Sequence, residues 1–141
     1  MKMYEQIGEF KPDSLIASQE YPILAEGIGL KSGRGILKRG SLILKGTDGA
    51  GYIAGSVVKE TTGEGEGAVT SDMKLKVSGI LTDDFDTGEE ESADLIPATV
   101  YQTGIFNRAA VVIAGEDAAV EEYEDDMKAA GIYLRSVQKY E

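Results

Sequence analysis

Apolar and polar residues alternate over positions 73–78 (MKLKVS): Met73, Leu75 and Val77 fall on one side of an extended chain, and Lys74, Lys76 and Ser78 on the other. This is the two-residue period of a half-buried β-strand. Residues 41–45 (SLILK) read as a second short strand, closed by the turn Gly46-Thr47-Asp48-Gly49. Residues 51–58 predict a third strand, with Gly55 marking a bulge or bend. Further along, the apolar runs 79–81 and 96–100 flank an acidic loop, and residues 98–102 and 109–114 predict the central strands. The second of these is apolar at consecutive positions, which predicts that both its faces are covered.

The period then changes. Over residues 116–130 (EDAAVEEYEDDMKAA), Ala119, Val120, Tyr123 and Met127 line one side of a helix. Asp117 is its candidate N-cap, acidic residues fill the first turns, Lys128 comes late, and Gly131 supplies the stop. Residues 132–137 (IYLRSV) predict a closing strand. The expected fold is mainly β (α+β): a small barrel-like or sandwich-like domain with one helix towards the C-terminal side.

Composition narrows the chemistry. The 141 residues suit one domain with a real core. Without cysteine there is no thiolate chemistry, and without histidine the commonest general base and metal ligand is missing. Fourteen basic against 25 acidic residues give a net charge of −11, which repels phosphate backbones and argues against nucleic-acid binding. The opening MKMYEQIGEF has no apolar core of a signal peptide, and no run reaches the length of a membrane-spanning helix. The chain is expected to be made in a cytoplasm and not to enter a membrane.

Three motifs invite sharper readings. The stretch 27–35 (GIGLKSGRG) and the glycines at 63, 65 and 67 match neither a phosphate loop nor a dinucleotide fingerprint, so they read as loop and turn glycines. The acidic loop holds Asp83, Asp84, Asp86, Glu89, Glu90, Glu91 and Asp94. Tested as a calcium loop from Asp84, it places Gly88 and Leu95 where oxygen ligands belong. No metal or cofactor is predicted. A hydrolase reading of Asp84, Asp86 or residues 89–91 needs a carboxyl of raised pKa in a cleft. A carbohydrate-binding reading needs Tyr52, Tyr101 and Phe106 exposed as stacking platforms.

Residues 1 to about 20 mix charge with Lys11-Pro12-Asp13 and little periodicity, yet carry Tyr4, Ile7, Phe10, Leu15 and Ile16. They read either as a frayed terminus or as an arm that orders against a partner.

The last third of the chain carries an ordered set of segments: Gly79-Ile80-Leu81, an acidic loop, Thr103-Gly104-Ile105-Phe106, the apolar residues 110–113, one acidic helix, and Ala130-Gly131-Ile132-Tyr133-Leu134. Together with residues 37–42 upstream, this order resembles the bacteriophage lambda head decoration protein D family, over roughly residues 23–137. The loop at 60–70 is longer than in the smallest members. The resemblance implies a non-enzymatic structural protein of the virion, a homotrimer on the outside of the expanded capsid. It would sit at local three-fold sites, clamp the phage major capsid protein and resist the pressure of packaged DNA. It also implies a flexible capsid-binding arm at residues 1–20, joined to a single domain at 21–141. Phe10, Leu15, Ile16, Tyr21, Pro22 and Ile23 would then face the capsid, and deleting residues 1–20 would leave a folded trimer unable to decorate heads. The other reading is a β-rich carbohydrate- or surface-binding module of a phage or prophage.

Overall fold

A computed structural model describes residues 15–18, 20–56, 58–63, 65–67, 69–92, 94–114 and 119–136. Its strands, in chain order, are β1 (Ile16–Ser18), β2 (Ala25–Lys31), β3 (Ile36–Leu37), β4 (Leu42–Lys45), β5 (Gly51–Ile53), β6 (Lys59–Thr62), β7 (Val69–Asp72), β8 (Lys76–Leu81), β9 (Phe85–Asp86), β10 (Leu95–Tyr101), β11 (Gly104–Asn107) and β12 (Ile132–Arg135). Helix α1 spans Glu124–Ala130. The protein is mainly β with one α-helix among the described residues, and five strands close into a barrel in the order β10-β2-β5-β4-β8. An odd number of strands cannot close with every neighbour antiparallel. The odd pair here is β2 with β5, joined in parallel at Leu30 and Gly51.

The pleat sends successive side chains to opposite faces, and β4 shows what that achieves. Ile43 packs into the barrel interior with Leu30, Leu81, Ala98 and Val100. Its neighbours Leu42 and Leu44 face the other way, into a second core with Leu15, Ile80, Phe106, Met127 and Ile132. One strand is thus the shared wall of two cores, and Leu42, Ile43 and Leu44 are all buried. The second core lies under a three-stranded sheet of order β1-β11-β12, in which β1 runs antiparallel and β12 parallel to β11. Helix α1 contributes Met127 and ends at Gly131, whose φ of 92° is the left-handed cap conformation.

Several elements depart from the sequence reading. Residues 27–31, the first part of the stretch 27–35 read as glycine-punctuated loop, belong to β2, which pairs with β10 from Leu95↔Lys31 to Tyr101↔Ala25. The chain from 109 to 114 is not a central strand. Residues Arg108–Ala110 form a 3-10 turn, Val112 makes a single bridge to Ser41, and Val112 is exposed. The preceding residues of β11 take the central place. The 51–58 strand stops at Ile53 and turns at Gly55, whose φ is 93°. The alternating segment becomes regular strand only from Lys76. Residues 60–62, the start of the polar stretch 60–67 read as loop, belong to β6, which pairs with β7. The helical segment begins as a 3-10 turn at Val120–Tyr123, and Asp117 and residue 137 lie outside the described residues.

A third, smaller cluster joins Ala50, Tyr52 and Val58 with Met73 and Leu75. The Tyr52 hydroxyl donates to Asp48 Oδ2 at 2.6 Å, and the Ala50 N–H donates to Asp48 Oδ1 at 3.0 Å. Burial, then the hydrogen bond to Asp48 and its charge, push the Tyr52 phenol up to about 12. For Asp48, burial acts to raise the carboxyl, but the hydrogen bonds from Tyr52 and Ala50 outweigh it and leave the group below its ordinary value. Tyr52→Phe is expected to cost about 1 kcal/mol near neutral pH, the usual net worth of one hydrogen bond. The Tyr52 contribution is fully present below pH 10.0 and is lost as pH rises towards about 12. The Asp48 contribution is present above its ordinary value of 3.8 and is lost as pH falls through the lowered folded value. Urea melts of wild type and variant at several pH values check both limbs, which shrink together in the variant.

Candidate functional site: the leading segment and its sheet edge

The chain enters the described fold at Leu15, and of the residues that the family resemblance assigns to a partner, Leu15, Ile16, Tyr21, Pro22 and Ile23 are described. They go to different places. Leu15 is 1% exposed, in the core with Phe106 and Met127, and its carbonyl accepts from the Asn107 N–H at 2.8 Å. Ile16 is half-buried and pairs with Phe106 in β1–β11. Leu15 is therefore a core residue of its own subunit, with no free surface to give a capsid protein. The folded domain starts no later than Leu15, not at residue 21. The reason is local packing: Phe106 and Ile132 leave an apolar face that Leu15 covers.

After β1 the chain turns along the end of the three-stranded sheet. The Tyr21 ring meets Tyr133 edge-on at 5.1 Å, an arrangement favoured by the ring quadrupoles. Pro22 is exposed, and its carbonyl accepts from the Thr103 hydroxyl at 2.8 Å. That hydroxyl oxygen also accepts from the Leu24 N–H at 3.1 Å. Ile23 is half-buried. Leu24, which the sequence reading did not single out, is 55% exposed, and Tyr133 is 37% exposed. Pro22, Leu24 and Tyr133 thus present apolar surface near the start of the β2–β10 ladder. No period marks Leu24 as exposed; its neighbour Ile23 is equally apolar. Phe10 lies outside the described residues.

The sheet beside this segment has two edges. Strand β11 is sandwiched between β1 and β12, so β1 and β12 each show one unpaired side among the described residues. Such an edge presents free N–H and C=O groups to which a strand of another chain can add.

The acidic loop is built as structure. Asp84 Oδ1 accepts from the Arg39 backbone N–H at 2.7 Å, and its carboxylate stands 3.9 Å from Lys38. Asp86 accepts from the Gly88 N–H at 2.9 Å, and Glu91 pairs with Lys31 at 3.3 Å. Asp83, Asp84, Asp86 and Glu89 to Glu91 are exposed. Among the described residues no three carboxylates converge as a cation site requires. Of the three aromatic residues considered as sugar platforms, Tyr52 is 3% exposed and Phe106 fully buried, while Tyr101 is half-buried beneath the Arg39 guanidinium. They form no exposed stacking surface. No helix among the described residues is long and apolar enough to cross a membrane.

The fold and site together define a small mainly β barrel domain with an edge-strand sheet laid against it. Comparison with protein-family models gave no matching family, and comparison with curated proteins gave no match.

Proposed function

We propose that this protein is a structural, non-enzymatic component of a phage virion. It binds as a homotrimer to the outside of the expanded capsid at local three-fold sites and stabilises the shell. The observation that carries this reading is the course of the leading chain. It comes into the fold along an open sheet edge and then, after Tyr21 meets Tyr133, exposes Pro22 and Leu24. Residues ahead of Leu15 include Tyr4, Ile7 and Phe10, anchors suited to adding a strand to the major capsid protein. The capsid contacts in this proposal are Phe10, Pro22 and Leu24, with Ile16, Tyr21 and Ile23 holding the segment in place.

Ordering such a segment costs free energy, so one copy binds weakly, and three arms on one rigid hub raise the overall affinity without new contacts. The test is co-sedimentation of the purified chain with empty heads of the phage that encodes it. Expanded heads are expected to retain the full chain, while a chain lacking residues 1–14 loses at least tenfold in affinity. Equal retention of the two chains would overturn the arm assignment.

A further inference from the structure

Carboxylates outnumber cationic side chains in this chain, 25 to 14. Lys31, Lys38, Lys59, Arg108 and Lys128 each stand beside one. Lys45, Lys74 and Lys76 do not: among the described residues no carboxylate comes within 4.0 Å of their ammonium groups. All three are exposed, and all three line one groove of about 470 Å³ with Val77 and Ser78. Lys45 lies directly across the β4–β8 ladder from Lys76. Like charges directly opposite one another destabilise a sheet. A protein with carboxylates to spare therefore gathers three unpaired ammonium groups in one place, two of them in mutual repulsion.

The complement lies nearby on the same chain. Glu122, Asp125 and Asp126 are exposed at the i, i+3, i+4 spacing that puts side chains on one side of a helix. Among the described residues none of the three has an ion-pair partner. Asp126 and Ala129 border an adjoining groove of about 360 Å³ that shares Lys76 and Val77 with the first. Basic groove and acidic helix face stand side by side, yet do not neutralise each other within one copy.

We propose that the lysine groove binds the acidic helix face of a second copy of this chain. The carboxylates of Glu122, Asp125 and Asp126 meet the ammonium groups of Lys45, Lys74 and Lys76, and the apolar lysine stems pack against the helix beside Ala129. In a trimer the contact runs head-to-tail, each copy giving its groove to one neighbour and its helix face to the other, the arrangement that closes rings when its rotation allows. The proposal deepens the homotrimer part of the reading above by naming the surfaces in contact. It rests on that part alone and needs no shell. A failure in solution would leave head binding standing.

The experiment is sedimentation velocity on the full chain. Wild type is expected to associate at about 20 mM salt and to lose at least tenfold in affinity at about 0.5 M, where screening is strong. The triple variant Lys45→Glu, Lys74→Glu, Lys76→Glu is expected to stay monomeric, with no gain in melting temperature, because like charges still face each other at positions 45 and 76. The milder Lys→Gln triple gives the same loss if the Glu triple does not fold. The triple variant Glu122→Lys, Asp125→Lys, Asp126→Lys is expected to be monomeric alone. It should associate when mixed with the Glu triple, because the mixture restores opposite charges at the contact. Unchanged association of the folded lysine variants, a monomeric wild type at low salt, or no rescue on mixing would each overturn the proposal. So would a wild-type groove that takes up inorganic phosphate or a polyglutamate peptide while copies remain apart.

Discussion

A chain lacking residues 1–20 is expected to lose roughly 3–6 kcal/mol of stability and to be largely unfolded at 37 °C, a loss comparable to the whole 5–15 kcal/mol of an ordinary domain. The deletion removes Leu15 from the core it shares with Leu42, Phe106, Met127 and Ile132. Removing a buried leucine side chain costs about 2–5 kcal/mol on its own. It also removes the acceptor of the Asn107 N–H, in a residue that is itself buried. Losing that hydrogen bond adds about 1 kcal/mol. By contrast, on the arm reading a chain lacking residues 1–14 keeps the wild-type melting temperature. Urea and thermal melts followed by circular dichroism separate the two deletions. A chain lacking residues 1–20 that melts with wild type would refute the placement of β1. The comparison also matters for function, because only the shorter deletion tests arm binding on a folded protein.

The second large effect is expected at Gly55. Its φ of 93° already disfavours any side chain. A Cβ there would also overlap the Ala114 carbonyl oxygen, with the Ala114 carbonyl carbon only 2.8 Å away. The Ala114 backbone cannot retreat freely, because its N–H donates to the Ala54 carbonyl at 2.7 Å. Neighbouring Ala54 in turn donates to Leu42 at 2.8 Å, which ties the turn to the shared β4 wall. Gly55→Ala is expected to cost about 3 kcal/mol or more, the sum of left-handed strain and a displaced backbone contact. For a chain of this size that lowers the melting temperature by about 10 °C. Gly49→Ala is the control: φ is 84°, but nothing lies within 4 Å of the added carbon. It is expected to cost only about 1 kcal/mol, the strain alone. Equal melting temperatures for the two variants would show that the contact with Ala114 is absent.

How much of this was readable beforehand depends on where each residue finds its partner. The SLILK strand was legible because three consecutive apolar residues need cover on both faces, and the two cores supply it. Gly131 was legible because a helix stop is a local event. β2 was not, since its glycines make a poor strand in isolation and become one only through the long ladder with β10, far along the chain. The run 109–114 misled for the opposite reason. It is apolar enough for a central strand, but Asn107 accepts from the Ala109 N–H and caps a 3-10 turn at that point. Leu15 looked like part of an arm because its neighbours Phe106, Met127 and Ile132 lie at the other end of the sequence. The exposed surface was least legible of all. Nothing in the local pattern separates exposed Leu24 from half-buried Ile23, or shows that Lys45 faces Lys76.

The central claim is that this chain acts by joining neighbours in a shell and performs no chemistry. Electron cryomicroscopy of expanded heads, mixed with saturating purified protein, tests it most directly. The account predicts added density for three copies around each local three-fold axis on the outer surface, with the chain ahead of Leu15 laid along a capsid strand. Heads that stay bare under those conditions would contradict it.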